Sequence, residues 1–300
     1  MCPSLHGWLN LYKPSGVSSN HYLNRLRRLL GKGVKVGHAG TLDPLAEGVL
    51  PVALGEATKC AGYGMGQSKT YWFTVTWGES TDTLDAEGAV IARSDARPSA
   101  HGLFSATKKI TGRIRQIPPV YSAIKIEGKR ACDRARAGEK AEMAPREIDV
   151  YGFYVASRRS DSADFVAHCG KGTYVRALAR DLCALVGSEG HVSRLVRSRV
   201  GNFFLEDAFL VAERAESAYK NTLASRLMPV DTALDDIPAI YATEAEEARL
   251  RCGQDMPLLS RHTFCEGGAT VLVKNSAGKP VALTVAHNAR LRPKRIINPY

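Results

Sequence analysis

The chain is predicted to adopt an α+β fold on a mixed, largely antiparallel sheet, followed by a small β-rich module. Three observations point there. Period-two alternation recurs, most clearly over Lys69–Trp77, where Tyr71, Phe73, Val75 and Trp77 fall on one side. Strand-like and helix-like segments mix without the regular β–α–β order that a parallel sheet requires. Between Asp231 and Ala248 the charge inverts: Asp231, Asp235, Asp236, Glu244, Glu246 and Glu247 stand there without lysine or arginine, and Pro229 and Pro238 punctuate the same region. That shift predicts a large domain over residues 1–235 and a small one over 236–300.

In chain order, Tyr22, Leu23, Leu26, Leu29 and Leu30 recur at helical spacing and predict a helix over Ser19–Leu30, with Arg25, Arg27 and Arg28 on its other positions. Val49–Leu54 is a short apolar run between Gly48 and Gly55, which suits a buried strand. After Lys69–Trp77, the turn Asp85 to Gly88 predicts a hairpin partner at Val90–Ala92. Further strands are expected at Ser122–Ile126, Ile148–Val155 and Phe165–Cys169, and helices at Ser99–Thr111, Tyr174–Val186 and Leu210–Ala224. In the tail, Ala269–Lys274 and Pro280–Ala286 read as strands joined by Asn275 to Gly278, and the chain ends in Arg290, Arg292, Lys294 and Arg295.

Composition excludes several classes. With 300 residues, 44% hydrophobic and 24% charged, the chain can bury a real core and is neither disordered nor fibrous. No run approaches the roughly 18 apolar residues of a membrane span, and the first ten residues lack a secretion pattern, so a cytoplasmic protein with no membrane partner is expected. The formal charge of +11 favours a polyanion, and nucleic acid is the commonest one. Seven scattered cysteines form no CxxC pair, so neither a disulfide framework nor a metal site is expected.

The most unusual stretch is Gly37 to Gly48, where Gly37, Gly40, Pro44 and Gly48 surround Asp43. That composition demands exacting backbone geometry. An aspartate before proline most often caps a turn, and a lone histidine such as His38 is more often structural than catalytic. Gly170 to Arg176 superficially resembles a phosphate loop, but Phe165 and Gly172 stand where that loop needs glycine and serine or threonine. Basic clusters recur at Lys108 to Arg115, Lys125 to Arg136 and Arg194, Arg197 and Arg199. Any one alone is an ordinary solvated face; together they suit phosphate contacts.

Gly37 to Leu50 closely resembles the catalytic motif of the TruB family of tRNA pseudouridine synthases, the pseudouridine-55 enzymes. Lys13 to Ser19, Lys69 to Tyr71, Ile117 to Ala123 and Gly172 to Arg176 resemble its other motifs, in the family's order. The resemblance spans about Gly7 to Gly201 and matches the tail only loosely. Tyr12 and Thr41 depart from it: many members have an acidic residue and alanine there.

The resemblance implies a pseudouridine synthase catalytic domain and a small C-terminal PUA-like RNA-binding domain. It implies that uridine 55 in the T-loop of tRNA is isomerised to pseudouridine, with no cofactor, no protein partner and a monomeric enzyme. Asp43 would be the nucleophile and Arg176 its partner. Tyr71 would stack on the target base and is a candidate for moving a proton. Tyr174 and Leu195 would line the uracil pocket, and His38 would help open the T-loop. Two other readings compete. A non-catalytic RNA-binding or RNA-folding protein would not need Asp43, Tyr71 and Arg176 together. A carboxylate glycosidase would need a second placed carboxylate, for which Glu47 is the nearby residue.

Overall fold

The computed structural model describes residues 5–31, 33–139, 142–211, 219–258 and 268–298. Among them a nine-stranded sheet dominates. Across it lie Gly7–Lys13, Glu47–Leu54, Gly190–Val200, Lys69–Trp77, Ser162–Cys169, Arg146–Arg158 and Gly112–Gln116, in that order. Val36–His38 adds to Glu47–Leu54, and Phe203–Phe204 to Gly190–Val200. Every pairing is antiparallel except that between Glu47–Leu54 and Gly190–Val200.

The inner face of Lys69–Trp77 carries Lys69, Tyr71, Phe73, Val75 and Trp77, all buried. Helices Ala100–Ile110 and Val175–Val186 cover that face, joining Leu103, Ile110, Leu178 and Leu182 to Phe73, Phe153 and Phe165. Helix Ser19–Leu30 has the predicted bounds; Ser18 Oγ caps it by accepting from His21 N at 3.2 Å. Its apolar stripe packs on Leu9, Leu11, Leu50, Val52 and Leu54.

A second sheet holds Ala239–Tyr241, Thr270–Lys274, Pro280–His287, Arg290–Ile296 and Met256–Pro257. Leu272, Leu283 and Ile297 from this tail share a core with Trp8, Phe203, Val230 and Leu234. Helix Glu244–Arg251 fills the acidic segment, started by a capping box between Thr243 and Glu246.

Several expectations change. Of the strand expected at Ser122–Ile126, only Lys125–Ile126 pairs, with Lys129–Arg130. The carbonyls of Tyr121 and Ser122 are taken instead by Arg176 Nη2 at 2.8 Å and Cys132 N at 3.1 Å, which removes them from any ladder. The hairpin partner of Val90–Arg93 is the short strand Glu79–Thr81. The helix expected at Leu210–Ala224 is found as Tyr219–Ser225. Residues 212–218 lie outside the described residues. Phe209 exchanges backbone hydrogen bonds with Asn10 and Tyr12 along the sheet edge, so the chain is still extended when it reaches Leu210.

Candidate active site

Asp43 stands on the loop between the antiparallel neighbours Val36–His38 and Glu47–Leu54. The loop is fastened from several sides. Ser19 Oγ accepts from Leu42 N at 2.8 Å and donates to Leu42 O at 2.9 Å. Gly16 N donates to Pro44 O at 2.9 Å, and Ser15 Oγ to Leu45 O at 2.8 Å. Lys13 Nζ donates to Pro14 O at 2.8 Å, Val17 O at 2.7 Å and Pro44 O at 3.3 Å. The stretch from Lys13 to Ser19 is therefore the clamp of the Asp43 loop. Gly48, with φ at +105°, must be glycine: a Cβ there would collide with the Arg197 carbonyl.

Arg176 is the second residue of the Val175–Val186 helix and is 4% exposed. Its Nε and Nη2 each lie 2.9 Å from Asp43 Oδ2. Nη1 donates to Thr83 O at 2.7 Å and Nη2 to Tyr121 O at 2.8 Å. A second carboxylate, Asp85 Oδ2, is 3.5 Å from Nε. A cation at a helix start opposes the helix dipole. Two carboxylates and two carbonyls offset that here.

Asp43, Tyr71, Tyr174, Arg176 and Leu195 line one cavity of about 330 Å³. Tyr71 and Leu195 enter it from the neighbouring strands Lys69–Trp77 and Gly190–Val200. Tyr174 is held by its backbone: its N–H donates to Gln116 Oε1 at 2.9 Å, and its carbonyl accepts from Gln116 Nε2 at 3.2 Å. Burial pushes both phenols, Tyr71 and Tyr174, above the usual tyrosine range. His38 does not line this cavity. It sits on Val36–His38, its Nδ1 buried without a hydrogen-bond partner among the described residues, and burial lowers its pKa.

Other residues at the site were not singled out from the sequence as functional. Lys69 lines the cavity and donates through Nζ to the carbonyls of Met65 and Gln67. Burial lowers Lys13 and Lys69 each to about 8. A lysine in register with Tyr71, Phe73 and Val75 on a buried strand face is a signal the alternation contained. Asp85 was legible only as a turn residue, and it is one: its Oδ1 accepts from Thr83 Oγ1 at 2.6 Å and Glu87 N at 3.1 Å. Glu47 points elsewhere, to Tyr12 Oη at 2.6 Å and Arg194 Nη2 at 3.1 Å, so the residue expected as the second carboxylate of a glycosidase pair is engaged away from Asp43.

The arrangement is a carboxylate fixed on a planar cation, with 36% of its side chain still exposed, facing a cavity walled by tyrosines. It suits nucleophilic or electrostatic action on a flat ring.

The TruB family pseudouridylate synthase (N terminal domain) model matches residues 27–175. The chain is 46% identical to the tRNA pseudouridine synthase B of Bradyrhizobium diazoefficiens, over 98% of this chain and 86% of the relative. It is 42% identical to that of Rhodospirillum rubrum, over 98% of this chain and 97% of the relative. Among solved structures, a chain of a Cbf5–Nop10–Gar1 complex superposes with a TM-score of 0.78 at 21% identity, covering 99% of this chain and 86% of that one. That likeness shows the fold over nearly the whole chain, the mixed sheet together with the PUA-like, β-rich C-terminal sheet. The clamp on Asp43, the Arg176 pairing and full-length relatives above 40% identity converge: the chain belongs to the TruB family of pseudouridine synthases.

Proposed function

We propose that this chain is a tRNA pseudouridine synthase that isomerises uridine 55 in the T-loop, as a cytoplasmic monomer. The observation that carries the reading is Asp43 held at 2.9 Å by Arg176 in a cavity shared with Tyr71, in a chain whose relatives are tRNA pseudouridine synthases. Asp43 assists cleavage of the bond between C1′ and the uracil N1, by covalent attack or by steadying the charge that develops. The base then turns and rejoins C1′ through C5. The C5 proton leaves, N1 regains a proton, and no net oxidation occurs. Tyr71 stacks on the base and is the candidate for moving that proton. Tyr174 and Leu195 enclose the ring.

A T-loop base must leave its stack to reach Asp43, at a cost of a few kcal/mol. His38, on the strand that leads into the Asp43 loop, helps to hold the T-loop open, as the family resemblance implies. Phosphate contacts from basic residues of the catalytic domain, residues 1–235, and of the PUA-like domain, residues 236–300, offset the cost.

The test is incubation with unmodified tRNA, followed by mapping pseudouridine through chemical modification and reverse transcription. A stop at position 55 is expected. Binding without any pseudouridine would instead favour a non-catalytic RNA-binding or RNA-folding protein.

A further inference from the structure

Arg197 falls within the basic cluster with Arg194 and Arg199 that the sequence suggests for phosphate contacts. The structure places this residue inside the fold instead: it is 1% exposed and borders the cavity shared by Asp43 and Tyr71. Its guanidinium donates from Nε to Val49 O at 2.8 Å, from Nη2 to Gly40 O at 3.0 Å and from Nη1 to Thr41 O at 3.3 Å. Gly40 and Thr41 lead into the Asp43 loop, and Val49 follows it, so one planar fork ties together both ends of the loop. The backbone of the same residue pairs with Gly48 in the parallel register between the two strands. Gly40 has φ at +102°, and a Cβ added there would already stand in van der Waals contact with Arg197 Nη1 at 3.5 Å.

Among the described residues Arg197 makes no ion pair. Burying a cation without a carboxylate costs several kcal/mol, which neutral hydrogen-bond donors holding the same carbonyls would avoid. Its charge reaches the cavity. Arg197 contributes, after burial, to lowering His38 and Lys69, and it works against the burial that raises Tyr71.

We propose that Arg197 is a positioning residue for the reaction: it sets the Asp43 loop from both ends and provides a positive potential behind Tyr71, rather than holding a phosphate. The proposal rests on the pseudouridine synthase reading above. A carboxylate that must meet C1′ or the ring tolerates little displacement, because a shift of about 1 Å can cost on the order of a hundredfold in rate. Lysine at this position would keep the charge but has no fork to hold Gly40, Thr41 and Val49 at once.

The experiment uses the full chain, comparing wild type, Arg197→Lys and Arg197→Met for thermal unfolding, tRNA affinity across salt concentrations, and single-turnover pseudouridine formation. Expected is a fall in turnover of about tenfold to a hundredfold for Arg197→Lys and more for Arg197→Met, with tRNA affinity and its salt slope unchanged. A folded Arg197→Lys protein with wild-type turnover overturns the proposal. So does a loss of about one unit of salt slope with turnover intact, which would make Arg197 a phosphate contact. If Arg197→Met does not fold, the Arg197→Lys turnover decides. Wild-type protein that binds tRNA but forms no pseudouridine would overturn the functional reading itself, and the role of Arg197 with it.

Discussion

Arg176 meets Asp43 through Nε and Nη2, both 2.9 Å from the single oxygen Oδ2. The cation thus fixes the direction of the carboxylate from its buried side, while the rest of Asp43 faces the cavity. Asp43→Asn keeps the shape and loses the carboxylate charge on which the proposed role depends. Pseudouridine formation should vanish while tRNA affinity, read by filter binding, stays within about threefold, because the phosphate contacts that dominate affinity are untouched. Substantial turnover by that variant would remove Asp43 from its role.

Arg176 itself offers two different losses. Arg176→Lys keeps the charge but cannot reach Asp43, Thr83 O and Tyr121 O together, so turnover should fall sharply with little change in unfolding temperature. Arg176→Ala also strands Asp85, whose side chain is 4% exposed, as a buried carboxylate without its cation. That variant should lose turnover further and also about 3–5 kcal/mol of stability by urea unfolding. Equal stability of the two variants would mean that Asp85 does not depend on Arg176.

The PUA-like domain is tested better by charge than by truncation. Removing everything after about residue 240 would strip Leu272, Leu283 and Ile297 from the core they share with Trp8. Arg290 and Arg292 lie 3.5 Å and 3.4 Å from Asp255, whereas Lys294 and Arg295 are exposed on the same strand. Replacing Lys294 and Arg295 by glutamine should weaken tRNA binding and flatten its logarithmic salt dependence by about one to two units, with the rate at saturating tRNA changing less. An unchanged slope would show that this strand does not touch phosphates.

Lys13 predicts a pH effect on stability. Burial lowers it from 10.5 to about 8. Below that value it is charged in both folded and unfolded chains, and the full burial penalty applies. As pH rises from about 8 toward 10.5, the folded chain sheds the proton before the unfolded chain does, so stability rises. Urea unfolding of wild type against Lys13→Met should shift in favour of wild type by about 2 kcal/mol between roughly pH 7.5 and pH 9.5. A constant difference across that window would mean that Lys13 is not desolvated.

What the sequence made legible follows hydrophobic period. Tyr71, Phe73, Val75 and Trp77 alternate cleanly, and Tyr22 to Leu30 repeats at helical spacing; both elements stand where expected. Gly190–Val200 crosses the middle of the sheet yet reads as a basic cluster, because Arg197 is buried through hydrogen bonds to carbonyls that no hydropathy pattern encodes. Gly7–Lys13 ends on a lysine that is buried for the same reason. At the site, the family resemblance names Asp43, Tyr71, Tyr174, Arg176 and Leu195, which line one cavity, and His38, which does not line it. Asp85 escaped because its approach to Arg176 depends on how the turn after Thr81 folds over the helix start, a tertiary relationship between segments about 90 residues apart.

The two domains should unfold together. Trp8, fully buried on the first strand, packs against Phe203 with ring centroids 5.5 Å apart and donates from Nε1 to Val230 O at 2.9 Å. The same core takes in Leu272 and Leu283 from the PUA-like sheet and Ile297 beyond its last strand. Lys59 Nζ donates to Ile296 O at 2.7 Å, and Lys274 pairs with Asp231 at 2.7 Å, adding polar ties around it. A core that crosses the domain boundary couples the two units, since neither can open without exposing the other's apolar surface. Calorimetry of the whole chain should therefore show one cooperative transition. Trp8→Ala leaves a large cavity at the junction and should cost about 3–5 kcal/mol, lowering the transition or splitting it in two. Two separate transitions in the wild-type chain, with amides of Pro280–His287 exchanging independently of those of Lys69–Trp77, would show that the shared core does not couple them.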